Sequence, residues 1–256
     1  MIQRIIFILM AAFFIAACSE QAAEQAPQKK AEQMPEQAQL ENPGTILYFE
    51  EVEMGVEPYG SRMLVNPDYL RLDDGHDQSD FILYDRKERA IYSVAHAEQN
   101  ILKISHHPVE IEPPYELKLV DDVREDASAP VIGSQKPEHH VYMVNSQRCF
   151  DAVLVPGVLD EEASALKEYL EVLAGEQARN LFKTPVEYQE PCMLSNLIFN
   201  AGAHLEHGFP IQESSNTGYA RYLVDYRKSV EIAPDAFKLP GHYEQFSLDP
   251  DQPVVQ

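Results

Sequence analysis

Short apolar runs, separated by turn-forming residues about every ten positions, predict a meander of β-strands in the first part of the folded region. The runs are rich in Ile, Leu, Val and Tyr, which favour strands. Two further runs near the carboxyl end predict a closing hairpin. The predicted strands are residues 45–53, 61–65, 68–73, 80–85, 90–95, 100–105, 115–122, 140–146, 149–155, 221–226 and 229–234. An antiparallel sheet with this many strands is expected to curl.

Between residues 160 and 182, apolar residues recur at the spacing of a helix instead of a strand. Leu166, Leu170 and Leu173 then fall on one face, so this segment predicts one long amphipathic helix. A shorter helical segment is predicted within residues 184–199, and both helices need an apolar surface to cover. The expected fold class is therefore α+β, with a curved antiparallel β-sheet, an incomplete barrel, wrapping or covered by the long helix and the shorter helical segment.

The amino-terminal residues have the layout of an export signal. Arg4 precedes thirteen uncharged, mostly apolar residues, which are too few to span a bilayer as a helix. The run ends in "IAAC", which looks like a bacterial lipobox with Cys18 as the acylated first residue of the mature chain. By the same resemblance, Ser19 favours the outer membrane of a Gram-negative cell, facing the periplasm. Acylation, including palmitate, would make Cys18 a permanent membrane anchor.

Composition divides the rest of the chain. Residues 18–44 are rich in Gln, Ala and Glu and predict a flexible tether, since they cannot form a core. Residues 45–249 are long enough for one domain with a substantial core, and residues 250–256 form a tail. Together with the signal peptide, residues 1–17, these are the expected segments of the chain.

The charge of the chain narrows the choice of partners. It has 20 Lys and Arg against 42 Asp and Glu, a formal net charge of −22. Phosphate backbones would repel so acidic a protein, and nucleic acid is excluded as an expected partner.

Two cysteines remain once Cys18 is assigned to the anchor. An even number of thiols in an oxidising compartment suggests that Cys149 and Cys192 form a disulfide. A metal site would need more thiols nearby, and a redox site would need the two cysteines closer in the sequence.

The remaining polar motifs are weak signals of chemistry. "HLEH" contains His204, Glu206 and His207, to which the pairs at residues 106–107 and 139–140 could add imidazoles as zinc ligands. Nine histidines form such clusters by chance. "DDGHDQSD" has calcium-type spacing at residues 73, 75 and 77 but carries tyrosine at the twelfth position. Motifs for hydrolases and nucleotide binding are absent from the sequence, so we expect neither an enzyme nor a cofactor or metal.

The order of the elements resembles a known family. After the meander come "SQRCFDAVLV", a helix, "HGFPIQE", the last hairpin and the closing "LPGHYEQF". This order is similar to the LolA-like superfamily of periplasmic lipoprotein-localisation factors, closest to its uncharacterised lipoprotein relatives, over about residues 45–247. Their ending "F-x-x-P-x-G-Y" appears here as "FKLPGHY", with the glycine one place early. The resemblance implies an incomplete barrel around a helical lid and an apolar cavity for acyl chains.

Two functions from different classes stay open. The first is a membrane-anchored protein that binds a lipid or a lipoprotein acyl chain in the cavity between the curved sheet and the long helix. The second is a non-catalytic structural or partner-binding envelope lipoprotein whose core is filled. Whether a cavity remains under the helix decides between them. The residues expected to line that cavity are Tyr48, Ile82, Tyr84, Ile91, Leu102, Leu166, Leu170 and Leu173.

Overall fold

A computed structural model describes residues 40–76, 78–125 and 131–248. The predicted signal peptide, Cys18 and most of the tether lie outside these residues. In the described part, twelve strands form one sheet. The strands are β1 Pro43–Val52, β2 Tyr59–Val65, β3 Tyr69–Asp73, β4 Phe81–Asp85, β5 Ala90–Ala95, β6 Asn100–Ser105, β7 Leu119–Glu125, β8 Glu138–Val144, β9 Gln147–Val155, β10 Phe209–Ser215, β11 Ala220–Glu231 and β12 Glu244–Ser247.

The sheet is open and mixed. Its strand order is β12-β6-β5-β4-β3-β2-β1-β11-β10-β9-β8-β7, so β12 and β7 are its two edges. Neighbouring strands are antiparallel except β12 and β6, which are parallel. We call β12 and β6 to β1 the first sheet half, and β11 to β7 the second sheet half. The fold is therefore α+β with a large sheet, but the prediction that all of its strands are antiparallel was wrong.

The predicted closing hairpin is also wrong, because residues 220–231 form a single strand. β11 pairs with β1 along its length, and its register shifts where Gly44 faces Val230 and Ile46 faces Arg227. One extra residue is accommodated there, next to Ser229, whose φ is 52°. The left-handed backbone and the extra residue are a β-bulge, which kinks a strand without ending it. The sequence pattern also missed β10 and β12.

Helix α1 spans Asp160–Asn180, and the predicted amphipathic stripe is not borne out. Leu170 and Leu173 are only partly buried, whereas much of the rest of the helix is buried on several sides. Its buried residues are Glu162, Ala163, Ala165, Leu166, Tyr169, Val172, Ala174, Gly175 and Ala178. The reason is that a further segment of the chain covers the side of α1 that faces away from the sheet. The segment between β6 and β7 crosses α1 at Gly175, where an added Cβ would lie 1.9 Å from the carbonyl oxygen of His107.

Two apolar clusters lie on opposite faces of the first sheet half. One joins the sheet to α1 and contains Leu47, Phe49, Tyr84, Ile91, Leu166, Tyr169 and Val172 among others. The other joins the opposite face to the segment after β11 and contains Leu64, Leu83, Tyr92, Ile101, Ile232 and Phe237 among others. Both faces of this half are therefore covered, which explains why its strands read as nearly continuous apolar runs.

A short helical segment is attached to the second sheet half. Helix α2, Pro191–Leu194, continues as a π-helical turn, Ser195–Phe199, close to the predicted second helix. Cys192 at its start forms a disulfide with Cys149 on β9, with the Cα atoms 5.0 Å apart. Both cysteines are buried. The predicted pairing is thus present. Within the described residues, none of the helices has the length and apolar character needed to cross a membrane.

Candidate functional site

The expected acyl cavity between the sheet and α1 is filled by the protein's own side chains. Tyr84, Ile91 and Leu166 are 0%, 1% and 3% exposed and lie in one cluster. The ring of Tyr84 meets Tyr169 of α1 edge-on, with centroids 6.3 Å apart. Partly buried residues complete the packing: Ile82, Leu170 and Leu173. Six of the eight predicted residues therefore meet, in a packed core.

The other two predicted residues lie elsewhere. Leu47 and Phe49 belong to the cluster on the helix side, so the alternation of a strand directs Tyr48 to the opposite face. There Arg227 lies over its ring, 5.7 Å from the centroid. Leu102 on β6 is half-buried and pairs with Phe246 of the edge strand β12. The prediction that Tyr48 faces the helix was therefore wrong, because Leu47 and Phe49 occupy the helix side of β1.

A groove is present on the other side of α1, away from the sheet. Its volume is about 510 Å³, and one wall is the segment that crosses the helix at Gly175. We call it the strap groove. Val109 and Ile111 at its edge are 37% and 42% exposed. The groove is lined by His106, His107, Pro108, Val109, Ile111, Glu112, Pro113, Lys167, Glu171, Ala174, Ile198, Phe199, Asn200, Ala201, Ala203 and Glu206.

A row of charged residues crosses the junction between the two sheet halves on the α1 side. Arg221 of β11 faces Glu51 of β1 on one side and Glu213 of β10 on the other. The guanidinium is 2.9 Å from Glu213 and lies 4.7 Å from the ring centroid of Phe49. Burial alone would raise the pKa of Glu213, but the charge of Arg221 and the nearby imidazole of His204 outweigh it and lower the pKa. Glu213 is therefore an anion in the interior.

Hydrogen bonds extend this row from Glu51. That carboxylate accepts hydrogen bonds of 2.6 Å from the hydroxyls of Ser61 and Tyr219. Burial and the hydrogen bond to Glu51 raise the pKa of Tyr219, against the opposing charge of Arg221. The tyrosine is thus a hydrogen-bond donor to the carboxylate, and both carboxylates of the row, Glu51 and Glu213, are buried.

Histidines and aromatic residues form a second polar group next to this row, which we call the His–Tyr cluster. It contains His140 and Tyr142 of β8, together with His204 and His207 from the turn before β10. The His140 ring stacks on His207 with centroids 5.0 Å apart, and its Nδ1 is 2.9 Å from Asp121. Burial raises the pKa of Tyr142. One hint of this cluster is visible in the sequence "EHHVY", where His140 and Tyr142 lie two positions apart and so share one face of a strand.

The zinc pattern considered for "HLEH" does not converge. His204 Nε2 lies 3.6 Å from Glu213, too far for a hydrogen bond, while His207 lies next to Asp121. Glu206 forms an ion pair with Lys167. Across residues 40–76, 78–125 and 131–248, no three His, Cys, Asp or Glu side chains are grouped as a metal site would need.

The calcium-like turn is occupied by arginines. Asp73 accepts hydrogen bonds from Arg62 at 2.8 and 2.9 Å and from Arg71 at 2.6 Å. Burial alone would raise its pKa, but these two guanidinium groups lower it. Its oxygens are committed to structural ion pairs, so it is not a free cation ligand.

Edge strand β7 in the second sheet half has three exposed apolar residues. Leu119, Val120 and Val123 are 50%, 56% and 50% exposed. Among the strands that the structure describes, β7 pairs with β8 only. The sequence predicted a strand at residues 115–122, but nothing in it could show that this strand would be the last in the sheet.

Comparison with known proteins does not identify the chain. No family model matches it, and no curated protein matches it. Among solved structures, an uncharacterised conserved protein from Thermus thermophilus has a TM-score of 0.40 and 5% identity, with 80% of this chain and 91% of that chain covered. A structure of PNGF-II in the C2 space group has a TM-score of 0.40 and 10% identity, with 81% of this chain and 31% of that chain covered. These similarities are too weak to indicate function, and the LolA-like resemblance stays an expectation.

Proposed function

We propose that the protein is a non-catalytic, lipid-anchored lipoprotein of the bacterial outer membrane, which faces the periplasm and binds a partner protein through its surface. The observation that carries this proposal is the filled interface between the sheet and α1. Tyr84, Ile91 and Leu166 occupy the volume that a lipid carrier would keep for its ligand. Interiors packed in this way cannot admit acyl chains without displacing side chains.

The charged rows also support binding rather than catalysis. Glu213 forms an ion pair with Arg221, and Glu51 accepts hydrogen bonds from Ser61 and Tyr219. Asp73 is likewise committed to Arg62 and Arg71. Ion pairs buried in this way rigidify a sheet but leave no open position for a reacting group.

Native electrophoresis of membranes solubilised in mild detergent tests the partner. The full-length protein should migrate in an assembly that contains a second protein. Migration only as a monomer, together with native mass spectra of the full-length protein that show a retained lipid, would reject the proposal and favour a carrier.

The anchor has its own test. Cys18→Ser should release the protein from membranes, because acylation at that sulfur is the proposed attachment. Ser19→Ala is the matched control and should stay in the membrane fraction. Retention of Cys18→Ser after a carbonate wash would contradict the anchor.

The strap groove supports a second candidate, the binding of an acyl chain outside the core. Its volume of about 510 Å³ lies within the range of about 300–1,000 Å³ common for ligand pockets, and Val109 and Ile111 provide apolar surface at its edge. A fluorescent fatty acid should then bind the full-length protein, and Ile111→Glu should weaken that binding. Val186→Glu, an exposed position outside the groove lining, should not. Equal binding by all three proteins would reject this candidate.

A further inference from the structure

Three strongly exposed apolar side chains lie on the chain between α1 and α2. Phe182, Val186 and Tyr188 are 80%, 78% and 66% exposed. They belong to residues 181–189, which contain two short 3₁₀ helices and which we call the apolar loop. Groups of exposed apolar residues on a folded protein mark sites of interaction with other proteins or with membranes.

Hydrogen bonds tie the apolar loop to the rest of the fold. The side-chain amide of Gln189 donates a 2.8 Å hydrogen bond to the carbonyl of Thr184 within the loop. The carbonyl of Gln189 accepts a 2.6 Å hydrogen bond from the hydroxyl of Tyr115, in the segment that crosses α1. The exposed side chains are therefore presented by a loop whose shape is already set, so binding does not have to order it first.

The charge of the apolar loop suits a lipid surface. Its two charged residues, Lys183 and Glu187, cancel, whereas the whole chain has a formal net charge of −22. Anionic headgroups repel an acidic surface but not a neutral loop, and a basic partner protein would be drawn to the acidic parts of the chain instead. Phenylalanine and tyrosine are also favoured at the boundary between headgroups and acyl chains.

The predicted anchor brings a bilayer within reach of the apolar loop. Cys18 and Leu40, the first residue that the structure describes, are 22 positions apart in the sequence. A flexible chain of that length has a root-mean-square span of about 25 Å, so an acylated Cys18 keeps the fold next to the membrane. A linker this short gives an effective concentration of about millimolar. Even a weak affinity of three apolar side chains for the bilayer is then enough to hold the loop there.

We propose that the apolar loop inserts Phe182, Val186 and Tyr188 into the interfacial region of the bilayer to which the chain is anchored, and so fixes the orientation of the fold on the membrane. This inference rests on the proposed function, because it needs the acyl anchor at Cys18. The rest of the surface stays available to the partner protein.

Tryptophan fluorescence tests the insertion, because the chain contains no tryptophan and one introduced indole is then the only reporter of its kind. The full-length protein is reconstituted into vesicles of phosphatidylethanolamine and phosphatidylglycerol in which some acyl chains carry bromine, a contact quencher. With Phe182→Trp, the emission should shift to shorter wavelength and should be quenched. Val224→Trp is the matched control, because Val224 is 67% exposed on β11, and its emission should stay unquenched.

A charge placed in the apolar loop gives a second measurement. Val186→Glu, added to Phe182→Trp, should remove the quenching, because a carboxylate opposes insertion into the bilayer. The protein should still sediment with the vesicles through its anchor. Val224→Glu, added to the same tryptophan variant, is the control and should leave the quenching unchanged.

The outcomes separate the possible occupants of the loop. Equal quenching at positions 182 and 224 would overturn the inference, because the loop would then have no preference for the bilayer. Quenching at neither position would also overturn it and would leave the loop to a partner protein. A shift to shorter wavelength without quenching would do so as well, since a second copy of the chain would then cover the loop.

Mass spectrometry of Cys18 distinguishes this failure from that of the proposed function. If Cys18 is acylated and Phe182→Trp is not quenched, only the inference on the apolar loop fails. If Cys18 carries no acyl chain, the anchor in the proposed function is refuted, and the inference that needs it fails as well.

Discussion

The two halves of the sheet each contain a buried carboxylate directly opposite an arginine, but on opposite faces. In the first half, Asp73 faces Arg62 and receives three hydrogen bonds from Arg62 and Arg71. In the second half, Glu213 faces Arg221, and its other neighbour, His204, is 3.6 Å away. We call Asp73 with Arg62 and Arg71 the Asp73 centre. Guanidinium groups donate hydrogen bonds to both of its carboxylate oxygens, whereas Glu213 has one arginine and a more distant imidazole.

The surroundings of Asp73 and Glu213 also differ. Arg71 also donates a 2.7 Å hydrogen bond to the carbonyl of Ala236, in the segment that covers the far face of the first half. The second half has instead the His–Tyr cluster and the exposed strand β7. The first half thus supplies most of the packed core, and the second half has the exposed edge strand β7. The following substitutions should have different effects in the two sheet halves.

The largest loss of stability is expected from breaking the Asp73 centre. Asp73→Asn leaves Arg71, whose side chain is 9% exposed, without a charged partner in the interior. Removing one partner of a buried ion pair costs about 3–5 kcal/mol. Denaturant unfolding measures this, with Asp225→Asn as an exposed control in an ion pair of the second half. A loss no larger than in the control would mean that the first half does not depend on this centre.

A smaller loss is expected from opening the disulfide in the second half. The bond between Cys149 and Cys192 closes a loop over a sequence separation of 43, and bonds of this kind stabilise by about 2–4 kcal/mol. Cys149→Ala with Cys192→Ala should lower the melting temperature by several degrees. Amide exchange should rise mainly in β9 and α2, and an equal rise in β3 and β4 would contradict the division into halves.

A difference of about 2 kcal/mol is expected between two leucines of α1, because cavity size sets the cost of Leu→Ala. Leu166 is 3% exposed in the core, whereas Leu170 is only partly buried. Leu166→Ala should therefore destabilise the protein more than Leu170→Ala in denaturant unfolding. Equal losses of stability would instead support the amphipathic face that the sequence predicted, on which both leucines are equally buried.

The leucine pair also shows how far the sequence could predict the fold. The apolar runs of the sequence located α1 and strands β1 to β6, but they missed the edge strand β12 and misjudged which residues of α1 are buried. They could not show that the segment crossing at Gly175 covers the outer side of α1. Nor could they show that β11 stays one strand through a bulge at Ser229. Both features depend on contacts between residues far apart in the chain.

The candidate site was predicted less well, for the same physical reason. The pairing of Cys149 with Cys192 followed from counting thiols. By contrast, Arg221 and Glu213 come from adjacent strands, one of which the sequence pattern missed, and the exposure of β7 follows from strand order alone. Charge-bearing residues carry no periodic signal that would reveal such pairings.

The smallest expected effect is a difference in pH dependence at Glu213. Its pKa is lowered in the folded protein despite burial, chiefly by Arg221. A carboxyl whose folded pKa lies below its unfolded value stabilises the fold above the unfolded pKa, and that contribution is lost as pH falls through the folded pKa. The melting temperatures of the unmodified protein and Glu213→Gln should therefore differ at about pH 6, above the ordinary pKa of about 4.3 for a glutamate, and should converge as the pH falls through the lower pKa of the folded state. Glutamine suits this test because it keeps the approximate shape of the side chain and cannot carry a negative charge. A gap that stays constant over this range would mean that the Glu213 charge adds nothing to stability, and that the second half is held by its packing and its disulfide alone.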